Sequence, residues 1–146
     1  MAVGDVSRCK CMRDLTCHRA KGWAIVRVLK IRTAKLDLPM NKVLIVDDHP
    51  VIRLAVRMLM ERHGYEVIAE TDNGVDALQL AREYMPDIVI LDIGIPKLDG
   101  LEVIARLTSA AMPMKVLILT SQSPGHFSMR CMQSGAAGYV CKQQDL

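Results

Sequence analysis

From position 40 onward the apolar and polar residues alternate between two periods, and each change of period marks a new element. Val43 to Val46 is a short apolar run that stops at Asp47-Asp48, as a strand buried on both faces does. Ile52, Ala55, Val56, Leu59 and Met60 then fall at helical spacing, with Pro50 in the first turn and Gly64 where a C-terminal glycine cap belongs. Tyr65 to Ala69 reads as a second strand, followed by a helical stripe of Ala77, Leu78, Ala81, Tyr84 and Met85 that Pro86 ends. Ile88 to Leu91 is a third strand ending at Asp92, and a loop from Ile93 to Gly100 leads to a helix with Leu101, Ile104, Ala105 and Thr108 on one face. Val116 to Leu119 forms a fourth strand ending at Thr120. A poorer helix, Phe127 to Gln133, precedes a fifth strand, Gly138 to Cys141, which ends at Lys142.

Strands alternating with helices predict an α/β fold: a parallel sheet covered on both faces and joined by right-handed crossovers. Ligands in such sheets bind beyond the carboxyl ends of the strands, where the strand order reverses. The residues standing there are Asp47 and Asp48, Asp92, Thr120 and Lys142. Three carboxylates at one edge repel one another unless a cation intervenes. Oxygen ligands of this kind suit Mg²⁺, which accepts one or two carboxylates together with phosphate oxygens. With a hydroxyl and an ammonium opposite, the set reads as an acidic nucleophile, a metal, Thr120 and Lys142 arranged for phosphoryl transfer to a carboxylate.

Composition bounds this reading without redirecting it. Half of the 146 residues are apolar (51%), which is ample for one folded domain and excludes bulk disorder. No apolar run approaches a bilayer span and no secretory signal is evident, so a soluble cytoplasmic protein is expected. The formal charge of +3 divides unevenly: residues 1–39 hold nine basic and three acidic side chains, whereas residues 40–146 hold ten and thirteen. Basicity is therefore no sign of nucleic acid binding by the main domain. Residues 1–39 are expected to be a poorly ordered, non-native or mis-started extension, with Met40 the natural start; a basic arm touching nucleic acid or acidic lipid is the alternative. Cys9, Cys11, Cys17 and His18 lack the C-x2-C spacing of a zinc knuckle and read as ordinary thiols, as do Cys131 and Cys141.

Lys42 to Pro50 (KVLIVDDHP), Asp87 to Gly100 (DIVILDIGIPKLDG), Leu117 to Ser121 (LILTS) and Ser134 to Lys142 (SGAAGYVCK) resemble the receiver domain of bacterial two-component response regulators. The Asp-Asp-His-Pro opening is similar to the NarL/FixJ subfamily, whose output is of the LuxR type, and Asp72 to Arg106 is most similar to BvgA/EvgA-type regulators. The resemblance spans residues 40–146. It implies a flavodoxin-like (βα)5 three-layer sandwich with strand order 2-1-3-4-5, its final helix truncated and no output domain present. It also implies Asp92 as phosphoacceptor, and Mg²⁺ held by Asp47, Asp48, Asp92 and the backbone carbonyl of Gly94. Thr120 and Lys142 would hold the phosphoryl oxygens, and Tyr139 would be the switch aromatic that moves inward with Thr120. Implied partners are a sensor histidine kinase or His-phosphotransfer domain, and a homodimer. DNA would be reached only through a C-terminal helix-turn-helix outside the chain. The alternative is a stand-alone receiver acting as a phosphate sink or protein-docking switch.

Other chemistries fit less well. A haloacid-dehalogenase-type phosphatase needs a second acid two residues after its nucleophile, and Gly94 stands there. Asp-Asp-His-Pro-Val-Ile after the first strand is no nucleotide-binding glycine loop. His49 reads as a helix starter rather than a metal ligand, Asp99-Gly100 as the turn into the third helix, and Met58, Met60, Met129 and Met132 as core or interface fillers. With no fifth helix, one face of the fourth and fifth strands is expected to lie bare.

Overall fold

The computed structural model describes residues 42–110, 112–121 and 126–145; the expectations for residues 1–41 and the thiols within them lie outside that range. Five parallel strands form one sheet in the order β2-β1-β3-β4-β5. They are β1 (Lys42–Val46), β2 (Glu66–Thr71), β3 (Ile88–Asp92), β4 (Lys115–Thr120) and β5 (Gly138–Cys141). The connecting helices are α1 (Pro50–Arg62), α2 (Gly74–Tyr84), α3 (Gly100–Ser109) and α4 (His126–Gln133), and a short α5 (Lys142–Asp145) follows β5.

β1 and β3 are adjacent and in register, Val46 opposite Leu91, so their carboxyl ends finish side by side. Every residue of β3 is buried, which is why these strands read as continuous apolar runs rather than alternating ones. Two apolar layers result. Leu44, Val46, Val89, Leu91 and Ile118 pack with Ala77, Ala81, Val103, Leu107 and Cys131 from α2, α3 and α4. On the other face Val43, Ile45, Ile90, Leu117, Leu119 and Val140 share a cluster with Val56 and Met60 of α1 and with Tyr65. The expected bare face over β4 and β5 is therefore not observed: Leu117, Leu119 and Val140 are buried.

Local signals start and stop the helices. Pro50 opens α1 at a position where its missing N–H is not needed, and Gly64 follows the helix at φ +81°, a left-handed turn open to glycine at little cost. Asn73 caps α2 by accepting from the Asp76 amide, and Asp99 caps α3 by accepting from the Leu101 amide.

Some helix faces differ from the sequence reading. The buried face of α3 is Gly100, Val103, Ile104 and Leu107, whereas Ala105 and Thr108 are exposed. The cause is Gly100: a Cβ there would lie 2.8 Å from the Ile93 Cα and 3.2 Å from the Asp92 carbonyl oxygen. The helix backbone therefore rests directly on the end of β3, and the residues three, four and seven positions later point inward. Tyr84 and Met85 are exposed because α2 ends there, with Met85 in the left-handed region at φ 46°. Ala55 of α1 is exposed, and β2 begins after Tyr65 and runs on to Thr71, whose carbonyl accepts from the Asp47 amide. Of the expected methionine fillers, Met60 is buried and Met132 packs on the core, while Met58 and Met129 are exposed.

Gly100→Ala is expected to lower stability by about 1–3 kcal/mol, because the added methyl meets backbone that cannot swing aside. A urea midpoint equal to that of the wild type would exclude this close approach.

Candidate functional site

Asp47 follows β1 directly, and its side chain is 1% exposed. Three contacts fix it: its amide donates to Thr71 O, its Oδ1 accepts from the His49 amide at 2.8 Å, and Arg53 Nη1 donates to its carbonyl at 2.6 Å. Arg53 also pairs with Glu70 at 3.4 Å, and Arg57 pairs with the same carboxylate. A basic pair on α1 thus ties the end of β1 to β2. Arg53 was not singled out from the sequence. The available signal was an arginine one turn into a helix that begins beside two aspartates.

Asp92 closes β3 and is buried, its Oδ1 accepting a long hydrogen bond (3.3 Å) from the Gly94 amide. Lys142 reaches across from the end of β5. Its Nζ lies 2.6 Å from Asp47 Oδ2 and 2.8 Å from Asp92 Oδ2, with the lysine side chain only 6% exposed. Thr120 is buried at the end of β4, paired in register with Cys141, next to the strand that delivers Lys142. Asp47, Asp48, Asp92 and Lys142 are therefore brought together, and Thr120 stands on the intervening strand.

Tyr139 sits apart from this group. It lies on β5 opposite Ile118, half-buried against the layer that contains Cys131. Burial pushes its phenol above the ordinary value, and desolvation does the same to the Cys131 thiol, so both stay neutral at physiological pH.

His49 departs from its expected role. Its carbonyl accepts the first bond of α1, from the Arg53 amide, but its ring makes no capping bond. The ring turns instead to the aspartates, with Nδ1 2.7 Å from Asp48 Oδ1 and 3.4 Å from Asp47 Oδ1.

Ligand atoms of Asp47, Asp48, His49 and Asp92 all lie within 4.8 Å of one another. Two of these oxygens, Asp47 Oδ2 and Asp48 Oδ1, are buried without an aligned hydrogen-bond donor, although Lys142 Nζ lies 2.6 Å from the first and His49 Nδ1 2.7 Å from the second. Buried carboxylate oxygens left in that state favour a cation. Hard oxygen donors beside an open edge match Mg²⁺ in kind.

The profile of the family described as the response regulator receiver domain matches residues 43–146. BvgA of Bordetella pertussis, named for positive transcription regulation of virulence factors, is 66% identical over 106 residues, which is 73% of this chain and 51% of that protein. The chain thus spans about half the length of the curated relatives it matches. The signal receiver domain of NarL from Mycobacterium tuberculosis superposes with a TM-score of 0.68 at 33% identity, over 72% of this chain and 86% of that one. A DNA-binding response regulator of the LuxR family from Staphylococcus aureus gives a TM-score of 0.68 at 35% identity, over 71% and 88%. Among the described residues no helix is long and apolar enough to cross a membrane.

Like charges held this close oppose folding. In chelator and low salt, Asp48→Asn is expected to raise stability by about 1 kcal/mol or more, the order of one carboxylate pair at 4 Å screened as in bulk water. Chemical denaturation checks this, and an unchanged or lowered stability would show that the repulsion is already cancelled.

Proposed function

The chain belongs to the response regulator receiver family, and from that premise we propose that it takes a phosphoryl group onto Asp92 from a phosphohistidine of a sensor kinase or phosphotransfer protein. The observation that carries the reading is the short contact of Lys142 Nζ with Asp92 Oδ2, beside Asp47 and at the open end of the sheet.

The chemistry asked of the chain is modest. An Asp92 oxygen attacks phosphorus, a P–O bond forms, and the P–N bond to the donor imidazole breaks with its electron pair leaving on nitrogen, where a proton is taken up. Positioning and charge supply most of the catalysis in such transfers. The Gly94 amide and Lys142 hold the Asp92 carboxylate in place. Asp47, Asp48, Asp92 and the Gly94 carbonyl would hold Mg²⁺, which when bound offsets the negative charge of the phosphoryl oxygens. Lys142 and the Thr120 hydroxyl then hold those oxygens. The covering layers keep bulk water from the buried face of Asp92, whose remaining access is through the strand-end edge.

Signalling follows from the same residues. Once Asp92 is esterified, Lys142 exchanges a carboxylate partner for a phosphoryl oxygen, and Thr120 is drawn towards the same group. Both lie on or next to the β4–β5 edge that carries Tyr139, so a charge event at Asp92 shifts the population between two packings of that edge. Joined to an output domain, such a switch would control transcription, the role named for a relative about twice as long. Residues 40–146 form the receiver and residues 1–39 are an extension outside it.

Intact mass after incubation of the chain with Mg²⁺ and acetyl phosphate is expected to gain one phosphoryl group, and Asp92→Asn, with an unchanged circular dichroism spectrum, none. Labelling of the variant at a comparable rate would move the acceptor elsewhere.

Lys142→Ala is expected to retain phosphorylation but lose its consequence. The aromatic resonances of Tyr139, which move on phosphorylation of the wild type, would stay in place; an undiminished shift would remove Lys142 from the switch.

A further inference from the structure

An arginine prefers a carboxylate, which its planar fork can grip through two parallel bonds, to a carbonyl, which takes one. Arg53 stands one turn into α1, within a residue of the acidic edge, and does not follow that preference there. Its Nη1 donates to the Asp47 carbonyl at 2.6 Å, and that carbonyl leads directly into the amide of Asp48. Two carboxylate oxygens of the same dipeptide, Asp47 Oδ2 and Asp48 Oδ1, are buried without an aligned donor. A guanidinium with this reach is a rival for any cation that those carboxylates take.

What holds it back lies on the neighbouring strand. Glu70 of β2, in register with Ile45, has Oε2 3.4 Å from Arg53 Nε, while its Oε1 accepts from Arg57 Nε. Arg57, one turn further along α1, thus fixes the second oxygen of the same carboxylate. Arg53 and Glu70 are both partly buried, so their attraction is screened less than that of a fully exposed pair. The Nε edge of Arg53 is thereby turned to Glu70, and Nη1 is left for the Asp47 carbonyl. Without the charge on Glu70, the guanidinium would gain by turning to Asp48.

We propose that Glu70 is a positioning residue for phosphoryl transfer: it holds Arg53 on the backbone of Asp47 and so keeps the guanidinium from occupying the Asp47 and Asp48 carboxylates in place of Mg²⁺. This rests on the reading of Asp92 as phosphoacceptor with Mg²⁺ at those carboxylates. The effect of Glu70 passes through Arg53.

Titration of the full chain with MgCl₂, followed by the Gly94 amide resonance, tests this in the wild type, Glu70→Gln, Arg53→Met and the double variant. Glu70→Gln keeps the shape of the side chain and removes its charge, and it is expected to lower Mg²⁺ affinity about tenfold. The Arg53 Nε resonance is expected to move further on titration of Glu70→Gln than of the wild type, as the ion displaces the guanidinium. In the double variant the loss is expected to be no larger than in Arg53→Met alone, because Glu70 then has nothing to restrain. Wild-type affinity in Glu70→Gln, or a loss in the double variant beyond that of Arg53→Met, as two independent structural defects would give, overturns the proposal while leaving the phosphoacceptor reading intact. A wild type that neither binds Mg²⁺ nor takes a phosphoryl group from acetyl phosphate overturns both.

Discussion

An ammonium held between two buried carboxylates is the contact on which the rest of this edge depends. Strands in a sheet lie about 4.8 Å apart, so β5 is roughly 10 Å from β3, and only a long flexible side chain can start at the end of one and finish at the end of the other. Lys142 does so and continues to Asp47 beyond β1's last residue. Removing the ammonium would leave buried negative charges facing each other, a state that costs more than the pair gains. The lysine is therefore what permits the Asp47 and Asp92 carboxylates to converge.

The convergence itself is a product of strand order. With β1 and β3 neighbours and both facing apolar layers on two sides, polar side chains have no place along the strands and appear where pairing stops. The helices then constrain those ends. Gly100 lets the backbone of α3 rest against Ile93 and Asp92, and Arg53 ties the carbonyl of Asp47 to Glu70. Both hold the loops in the one arrangement that keeps the carboxylates within reach of Lys142.

Most of this architecture was legible because the two hydrophobic periods are unusually distinct. Runs such as Val43–Val46 and Ile88–Leu91 ended at acids, and that alone placed Asp47, Asp48 and Asp92 at one edge. The inward face of α3 was misread for a definite reason: a glycine carries no hydrophobic signal, yet Gly100 makes the closest contact and sets the phase for Val103, Ile104 and Leu107. Burial over β4 and β5 was missed because helix count was taken as coverage, yet Leu117, Leu119 and Val140 are all buried. The direction of the His49 ring was also beyond sequence reading, since a χ rotation decides it and no spacing rule encodes it.

On the proposed phosphorylation of Asp92, the same edge would let a single modification be felt at a distance. An aspartyl phosphate carries close to two negative charges where the carboxylate carried one, and its oxygens lie farther from the β3 backbone than Asp92's own. Lys142 cannot remain at 2.6 Å from Asp47 and also follow that charge outward. Its stem is anchored at the junction of β5 and α5, so the shift would pull on the strand that carries Tyr139 and pairs with β4 as far as Thr120. A cation on the Asp47 and Asp48 side lowers the cost of releasing the lysine, because Asp47 then keeps a positive partner. Metal binding and lysine release would in that respect be coupled through one carboxylate, by charge balance rather than by any long-range path.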